Sequence, residues 1–303
     1  LDSLNNASLA EELQQLHASS VRLSERLSVY ILSSKRKSSF PAVLHALGTA
    51  RKLAFAGKGA GGQESIDIDD FDDIYHQMMV VEWDQGRIPE IVGGYRFYFQ
   101  QYGAVQTLDM ERLFNMDEFY RRKENMPAIE LGRSFIIPRL QKQSDVFSAL
   151  LSGLGIILNL CHEAQVFFGK ITFYPGNPRN GDVLNFLQTY HGESPRQMYP
   201  RQEETLASSL DFSHLSYQAA LKQVRGYMPE ILRIYLRFTE PQYALVSGAA
   251  KNEEFGKGIL EAAFRIIIPA IGEIWRKRFL YPFAELQGKR SAFSLDNPEQ
   301  DNE

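Results

Sequence analysis

The 303-residue chain holds a single cysteine, Cys161, so no internal disulfide can form and no second thiol exists to complete a cysteine-rich metal site. This usage fits a reducing compartment, and a cytoplasmic protein is expected. Cys161 itself ends an apolar stretch and is expected to be packed away. No run of 18 apolar residues occurs, so no membrane-spanning helix is expected. No basic stretch followed by an apolar one opens the sequence, and no signal peptide is expected. Positive charge is not in excess: 33 Lys and Arg face 37 Asp and Glu, for a formal net charge of -4, which argues against nucleic-acid binding. The phosphate-cradling G-x-x-x-x-G-K-[ST] and nucleophile-bearing G-x-S-x-G patterns are absent, as is a His followed five positions later by Asp. His17, His45, His76, His162, His191 and His214 lack ligand spacing, so no metal is expected. Gly57 to Gly62 fits G-x-G-x-x-G, but it follows a helical pattern and leads into an acidic stretch. A dinucleotide site needs a strand before it and a helix after it. The segment reads instead as a substrate-gating loop or a plain connection.

What is present is an ordinary globular composition, 44% hydrophobic and 23% charged, long enough for one large domain or two small ones. Ser8 and Glu11 have capping-box spacing for a helix over residues 8–17. Leu27 to Leu32 reads as a first strand. Pro41 suits a helix start, and Val43, Leu44, Leu47, Leu53 and Phe55 carry the apolar spacing to Gly57. Met78 to Trp83 and Ile91 to Phe99 read as a hairpin turning at Asp84, Gln85 and Gly86. Asp145 to Leu160 has helical length and is followed by a strand, Gln165 to Tyr174. With the strand before it this makes a βαβ unit, whose two strands should lie parallel. Asp182 to Tyr190 reads as a helix, and 191–210 as a polar loop. Leu215 to Phe238 suggests two helices broken near Gly226 and Pro229, with strands at Tyr243 to Ala250 and Ile259 to Ile268 after them. Ile271 to Tyr281, aromatic and basic, is either a packed terminal helix or an element for peripheral contact with a membrane surface.

The stretch with the most chemistry is Ala-Ile-Glu-Leu-Gly-Arg-Ser-Phe-Ile-Ile-Pro at 128–138. Glu130 and Arg133 interrupt what otherwise reads as a buried strand. Burying such groups costs several kcal/mol unless each finds a partner. A structural ion pair and an active site both remain open on this segment alone.

Glu-Leu-Gly-Arg-Ser-Phe resembles the signature of the bacterial amino-acid N-acyltransferases that begin ornithine-lipid and glycine-lipid synthesis. These "hemolysin-related" proteins are distant relatives of the acyl-homoserine-lactone synthases and are similar to the GNAT fold. Four further blocks follow that family's order: the Arg-x-x-x-Phe of Arg51 and Phe55, the Asp-x-x-Asp of Asp69 and Asp72, Ile-Val-Gly-Gly-Tyr-Arg-Phe with Arg96, and Phe-Phe-Gly-Lys-Ile-Thr-Phe-Tyr-Pro ending at Pro175. The resemblance covers residues 45–192, with an echo in Lys-Asn-Glu-Glu-Phe-Gly at 251–256. Its details resemble the Bacteroidetes-type glycine-lipid enzymes.

The resemblance implies an α/β fold, a GNAT-like mixed central sheet flanked by helices, with a helical insertion before the last two strands. One domain is expected over 1–303: a core at 20–200, the insertion at 205–240, closing strands and a terminal helix at 241–290, and a disordered tail at 291–303. It also implies transfer of a (3-hydroxy)acyl group to the amine of glycine or ornithine in aminolipid biosynthesis. No permanently bound cofactor is implied. Arg139 to Ser148 lacks the glycines of a coenzyme A pyrophosphate cradle, so the acyl-phosphopantetheine of acyl carrier protein is the expected donor and partner.

Acyl transfer to an amine needs a proton acceptor, for which Glu130 is the candidate. It needs donors for an oxyanion, expected from backbone N–H groups where 130–136 and 166–174 splay apart. Arg51, Arg96 and Arg133 are candidates to bind the acceptor carboxylate, because a guanidinium fork matches two oxygens. By resemblance they cluster with Asp69, Asp72 and Glu130, although a solvated acidic loop is the plainer reading of the two aspartates. Phe55, Ser134 and Phe135 are expected beside the substrate. Tyr174 is a candidate to protonate the leaving thiolate, against a rim tyrosine. The family's aromatic after Arg-x-x-x-Phe is replaced here by the glycine-rich segment. Two rival readings are a signal synthase of the homoserine-lactone type and a non-catalytic, membrane-associated "hemolysin".

Overall fold

A computed structural model describes residues 2–62, 64–84, 88–103 and 106–295, with the side chains of 2–7 excepted. Helix α1 (Asp2–Gln15) leads into strands β1 (Ser20–Arg22) and β2 (Leu27–Leu32), then helix α2 (Pro41–Ala56). Strands β3 (His76–Glu82) and β4 (Glu90–Gln100) follow, then the short β5 (Phe114–Asn115) and α3 (Asp117–Arg121). The signature strand β6 (Ala128–Ile136) is joined through α4 (Ser144–Leu160) to β7 (Val166–Phe173). After α5 (Asn180–His191) and β8 (Tyr199–Pro200), helices α6 (Tyr217–Val224) and α7 (Glu230–Tyr235) precede β9 (Ala244–Lys251), β10 (Leu260–Ile267) and the short α8 (Glu273–Trp275).

Eight strands form one mixed sheet in the order β1-β2-β3-β4-β6-β7-β10-β9, flanked by helices, while β5 pairs with β8. This is the mixed α/β architecture expected. Several local expectations change. Helix α1 starts at Asp2, so Ser8 lies inside it and caps nothing. A short strand β1 precedes Leu27–Leu32, which is therefore the second strand, buried along its whole length. The polar 191–210 stretch contributes β8 to a small ladder with β5. Order continues past residue 291: Arg290–Phe293 forms a turn, and Phe293 and Leu295 are buried. The rest of the expected tail, 296–303, lies outside the described residues, as do Gln85 and Gly86 of the expected hairpin turn. In the C-terminal segment Trp275 packs on Phe238 and Phe279, while Ile274 is 81% exposed.

The feature that positions the site is the end of the β6–β7 ladder. The two strands run parallel, as the βαβ pattern predicts, but pair only from Ala128↔Val166 to Leu131↔Gly169. Beyond this point β7 stays with β10 as far as Phe173, whereas β6 follows β4. A bulge places Arg133 and Ser134 opposite Tyr95 alone, between the Gly132↔Arg96 and Phe135↔Gly94 pairs. Arg133 accommodates that extra residue with a left-handed backbone, φ 48°. The strands part because one is bent by a bulge and the other is not.

Candidate active site

The gap holds a cavity of ≈330 Å³. Side-chain alternation along β7 and β10 divides its walls. One side is apolar, with Phe167 and Phe264 from the sheet, Phe147 and Leu150 from α4, and Tyr235 from α7. The other side carries Asp109, Lys170, Thr172 and Glu261. The cavity therefore passes through the sheet, with hydrocarbon at one end and charge at the other.

The charged end continues into a network beneath it. Arg51, 1% exposed on α2, donates to both oxygens of Asp72 at 2.8 and 3.2 Å and to Asp67 at 3.3 Å. Asp72 also accepts from Gln77 (2.9 Å) and from the Asp69 amide (2.9 Å), closing a capping box with Asp69. Arg96, fully buried on β4, is paired with Asp69 and donates to Asp109 at 3.1 Å. Arg133 donates to Asp69 at 2.9 Å, faces Asp67 at 3.4 Å and stacks on Phe255 with 4.6 Å to the ring centre. Lys170 joins Asp109 (2.9 Å) to Glu261 (3.4 Å). Nearly every charge here has an opposite partner, which is the condition for burying them. The Asp109 carboxyl is held far below the usual carboxylate range, with Lys170 and Arg96 outweighing its burial, and Asp72 is lowered by Arg51 and Arg96 in the same way.

The convergence of Arg51, Asp69, Asp72, Arg96 and Arg133 is thus present, and the two aspartates are not a solvated loop. Of the candidates, Phe55, Arg133, Ser134, Phe135 and Tyr174 line the cavity, whereas Arg51, Asp69, Asp72 and Arg96 stand behind its wall. Phe55 meets Phe135 and Phe255 edge to face, with ring centres 6.5 and 5.3 Å away. Phe255 comes from the 251–256 echo. That segment is tied down: Lys52 donates to the Gly61 and Gly62 carbonyls at 3.3 and 2.9 Å, and the Gly62 amide donates to Phe255 O at 3.2 Å. Lys58 from the same segment stands over the Tyr174 ring at 5.0 Å. Burial pushes the Tyr174 phenol up to about 12.

Glu130 adjoins the charged network but stands apart from the cavity. It is 1% exposed and does not line the cavity. Its Oε1 accepts from the Met110 amide at 3.1 Å, and its Oε2 has no hydrogen-bond partner among the described residues. Burial, reinforced by the negative Asp109, pushes its carboxyl up to about 8, so it is mostly protonated at neutral pH. The alternation of β6 accounts for this: Glu130 shares a side with Ala128, over a satellite core that includes Tyr75, Tyr98 and Met110. Sequence reasoning also missed Asp67, Asp109 and Glu261. Asp67 lies two residues before the Asp-x-x-Asp pair and shares its alternation, a legible signal. Asp109 sits in an irregular loop, and Glu261 shares a largely apolar strand with one other charge, Arg265, so little marks it.

Residues 50–151 match the acetyltransferase (GNAT) domain family, in keeping with the GNAT-like mixed sheet. A glycine N(alpha)-acyltransferase of Bacteroides thetaiotaomicron is 27% identical over 284 residues, 85% of this chain and 82% of that protein. Another, from Phocaeicola vulgatus, is 30% identical over 275 residues, 81% of this chain and 82% of that protein. The chain belongs to the family of these enzymes. It is an N-acyltransferase, and the non-catalytic reading falls away. Among solved structures, the AHL synthase LasI aligns at 13% identity and TM-score 0.41, over 84% of this chain and 95% of its own. FeeM, an N-acyl amino acid synthase from uncultured soil microbes, aligns at 12% identity and TM-score 0.42, over 86% and 98%. Among the described residues, no helix of this N-acyltransferase is long and apolar enough to cross a membrane.

Proposed function

We propose that this N-acyltransferase moves a (3-hydroxy)acyl group from the phosphopantetheine thioester of acyl carrier protein to the amine of glycine, as the first step towards an aminolipid. The observation that carries this reading is the cavity through the β6–β7 gap, apolar on one side and charged on the other. An acyl chain lies against Phe147, Leu150, Phe167 and Phe264, the thioester sits in the gap, and the amino acid meets the charged side. Backbone N–H groups released where the strands part stabilise the oxyanion. Arg133 binds the acceptor carboxylate, held by Asp67 and Asp69, with Arg51, Arg96 and Asp72 supporting those aspartates. Ser134, Phe55 and Phe135 shape the wall, and Tyr174 donates a proton to the departing thiolate.

Glycine as acceptor is supported by the two relatives' activity. Carrier protein over coenzyme A is supported by the start of α4, where GNAT enzymes hold pyrophosphate. Here that turn has no glycine and carries Asp145, paired with Arg26 at 3.2 Å. A carboxylate at a helix N-terminus competes with an anionic ligand. The test is incubation of the purified chain with 3-hydroxyacyl carrier protein and a panel of amino acids, read by mass spectrometry. N-acylglycine is the expected product. No amide with any amino acid would overturn the reading, and faster transfer from the coenzyme A thioester would overturn the choice of donor.

A further inference from the structure

With Glu130 behind the wall, the proton lost by the acceptor needs another destination. An amino acid arrives as an ammonium ion, and its nitrogen cannot attack a carbonyl until a proton leaves. Among the described residues, Asp109, Glu230 and Glu261 are the carboxylates that line the cavity, and Glu230 is exposed and pairs with Arg233 at 3.4 Å. Asp109 is clamped by two cations, Arg96 at 3.1 Å and Lys170 at 2.9 Å, which makes it a weak proton acceptor. Glu261 is 4% exposed and answers to one cation, Lys170 at 3.4 Å. Its other neighbours are neutral donors, Thr172 Oγ1 to Oε1 at 3.1 Å and Asn252 Nδ2 to Oε2 at 2.7 Å. A carboxylate oxygen has two accepting positions, so Oε1 keeps one beyond its bond to Thr172. Register places Glu261 opposite Thr172, just past the point where β6 leaves β7. It is therefore beside the gap in which a thioester carbonyl would lie.

We propose that Glu261 is the group that takes the proton from the acceptor ammonium, with Lys170, Thr172 and Asn252 holding its carboxylate in place. This rests on the acyl-transfer reading above and assigns a residue to its first step. One ammonium proton passes to Glu261 Oε1. The freed nitrogen lone pair forms the C–N bond while the carbonyl π pair moves onto oxygen. As that pair returns, the C–S bond breaks and the sulfur leaves with its electrons. The second proton leaves nitrogen for solvent, and the thiolate gains one from Tyr174, which takes a proton back from solvent. Glu261 then releases its proton to solvent, so the products are an amide, a thiol and one proton.

The test is the ratio of wild-type to Glu261→Gln kcat/KM for glycine between about pH 7 and 9, with carrier-bound donor saturating. Without the base, the variant depends on free amine from solution, whose fraction rises tenfold per pH unit below the amine's own pKa. The expected ratio is about 100 or more near neutrality, within the usual range for general-base catalysis. It falls close to tenfold per unit as pH rises. Lys58, Lys170, Asp109, Arg133 and Tyr174 also surround this region, with Glu130 behind the wall. Losing the Glu261 charge lowers Lys170 and Tyr174, which it helps to raise, so the ratio is repeated in a Tyr174→Phe background, where the same slope is expected. A ratio that is constant with pH, a ratio below about five at pH 7, or a folded variant inactive even at high pH would overturn the proposal. Glu261→Asp retains an acceptor one methylene further back, so its ratio should be smaller and nearly constant with pH. Glu261→Ala, which should show the glutamine variant's trend, serves if the glutamine variant does not fold. Wild-type enzyme that acylates no amine brings down the acyl-transfer reading itself, and this assignment with it.

Discussion

A Cβ added to Gly169 would stand 2.3 Å from the carbonyl oxygen of Leu131. These residues are the last pair of the parallel ladder, so the vertex of the gap is a contact too tight for any side chain. The gap starts where it does because β6 and β7 approach closely at that pair and then diverge.

Gly169→Ala should force the vertex apart, since the atom in the way is backbone and cannot rotate aside. Destabilisation of about 1–3 kcal/mol is expected, as for overpacking elsewhere. Turnover should fall with it, because the thioester's position depends on the same vertex. Urea unfolding and steady-state kinetics on one preparation check both.

Asp72→Asn leaves the buried Arg51 without the carboxylate that accepts two of its N–H bonds, one at 2.8 Å. Breaking one partner of a buried pair costs about 3–5 kcal/mol. The pH dependence has a definite sign. The Asp72 carboxyl lies below its ordinary 3.8 in the folded chain, so its contribution is present above that value and is lost as pH falls through the folded pKa. Wild-type stability should therefore drop in acid, and the variant, already weakened, should drop less over the same range.

Glu130→Gln should keep near-wild-type turnover, because the glutamate is already neutral at pH 7 and stands off the cavity. Its folded pKa, about 8, lies above its ordinary 4.5. The unfolded chain therefore releases this proton first, and stability declines as pH rises between the two values. Glutamine cannot ionise, so the variant should gain on wild type as denaturation is moved from pH 5 to pH 8. Complete loss of activity in a folded variant would restore the role that the sequence alone suggests for this residue.

Arg133→Lys replaces a planar fork with a point charge at the cavity wall. It should raise the acceptor KM about tenfold or more, with a smaller change in kcat and the donor KM unaltered. An unchanged acceptor KM would place the amino-acid carboxylate elsewhere.

The βαβ unit was legible because hydrophobic period and segment length are local properties, and a parallel pair follows from a crossover too long for a hairpin. The charged cluster was legible only through the family resemblance, because Asp69 and Asp72 belong to an acidic turn that reads by itself as solvated. The surroundings of Glu130 were not legible, because alternation tells which residues share a side but not which of them reaches an opening. Asp109 was hidden for want of any periodic context around it, and Glu261 because a charge in a largely apolar strand, like Arg265 beside it, has no stated partner until β10 lies against β7.

Residue order alone determined most of the elements and the parallel pair, since these follow from short-range chemistry and segment length, while the charged constellation was reached through the resemblance of five sequence blocks to a known family. Three-dimensional packing decided where the sheet opens and which carboxylate looks into the opening. Both depend on a bulge at Arg133 and on strands brought together from distant parts of the chain, β6, β7 and β10, whose relative placement no local pattern encodes.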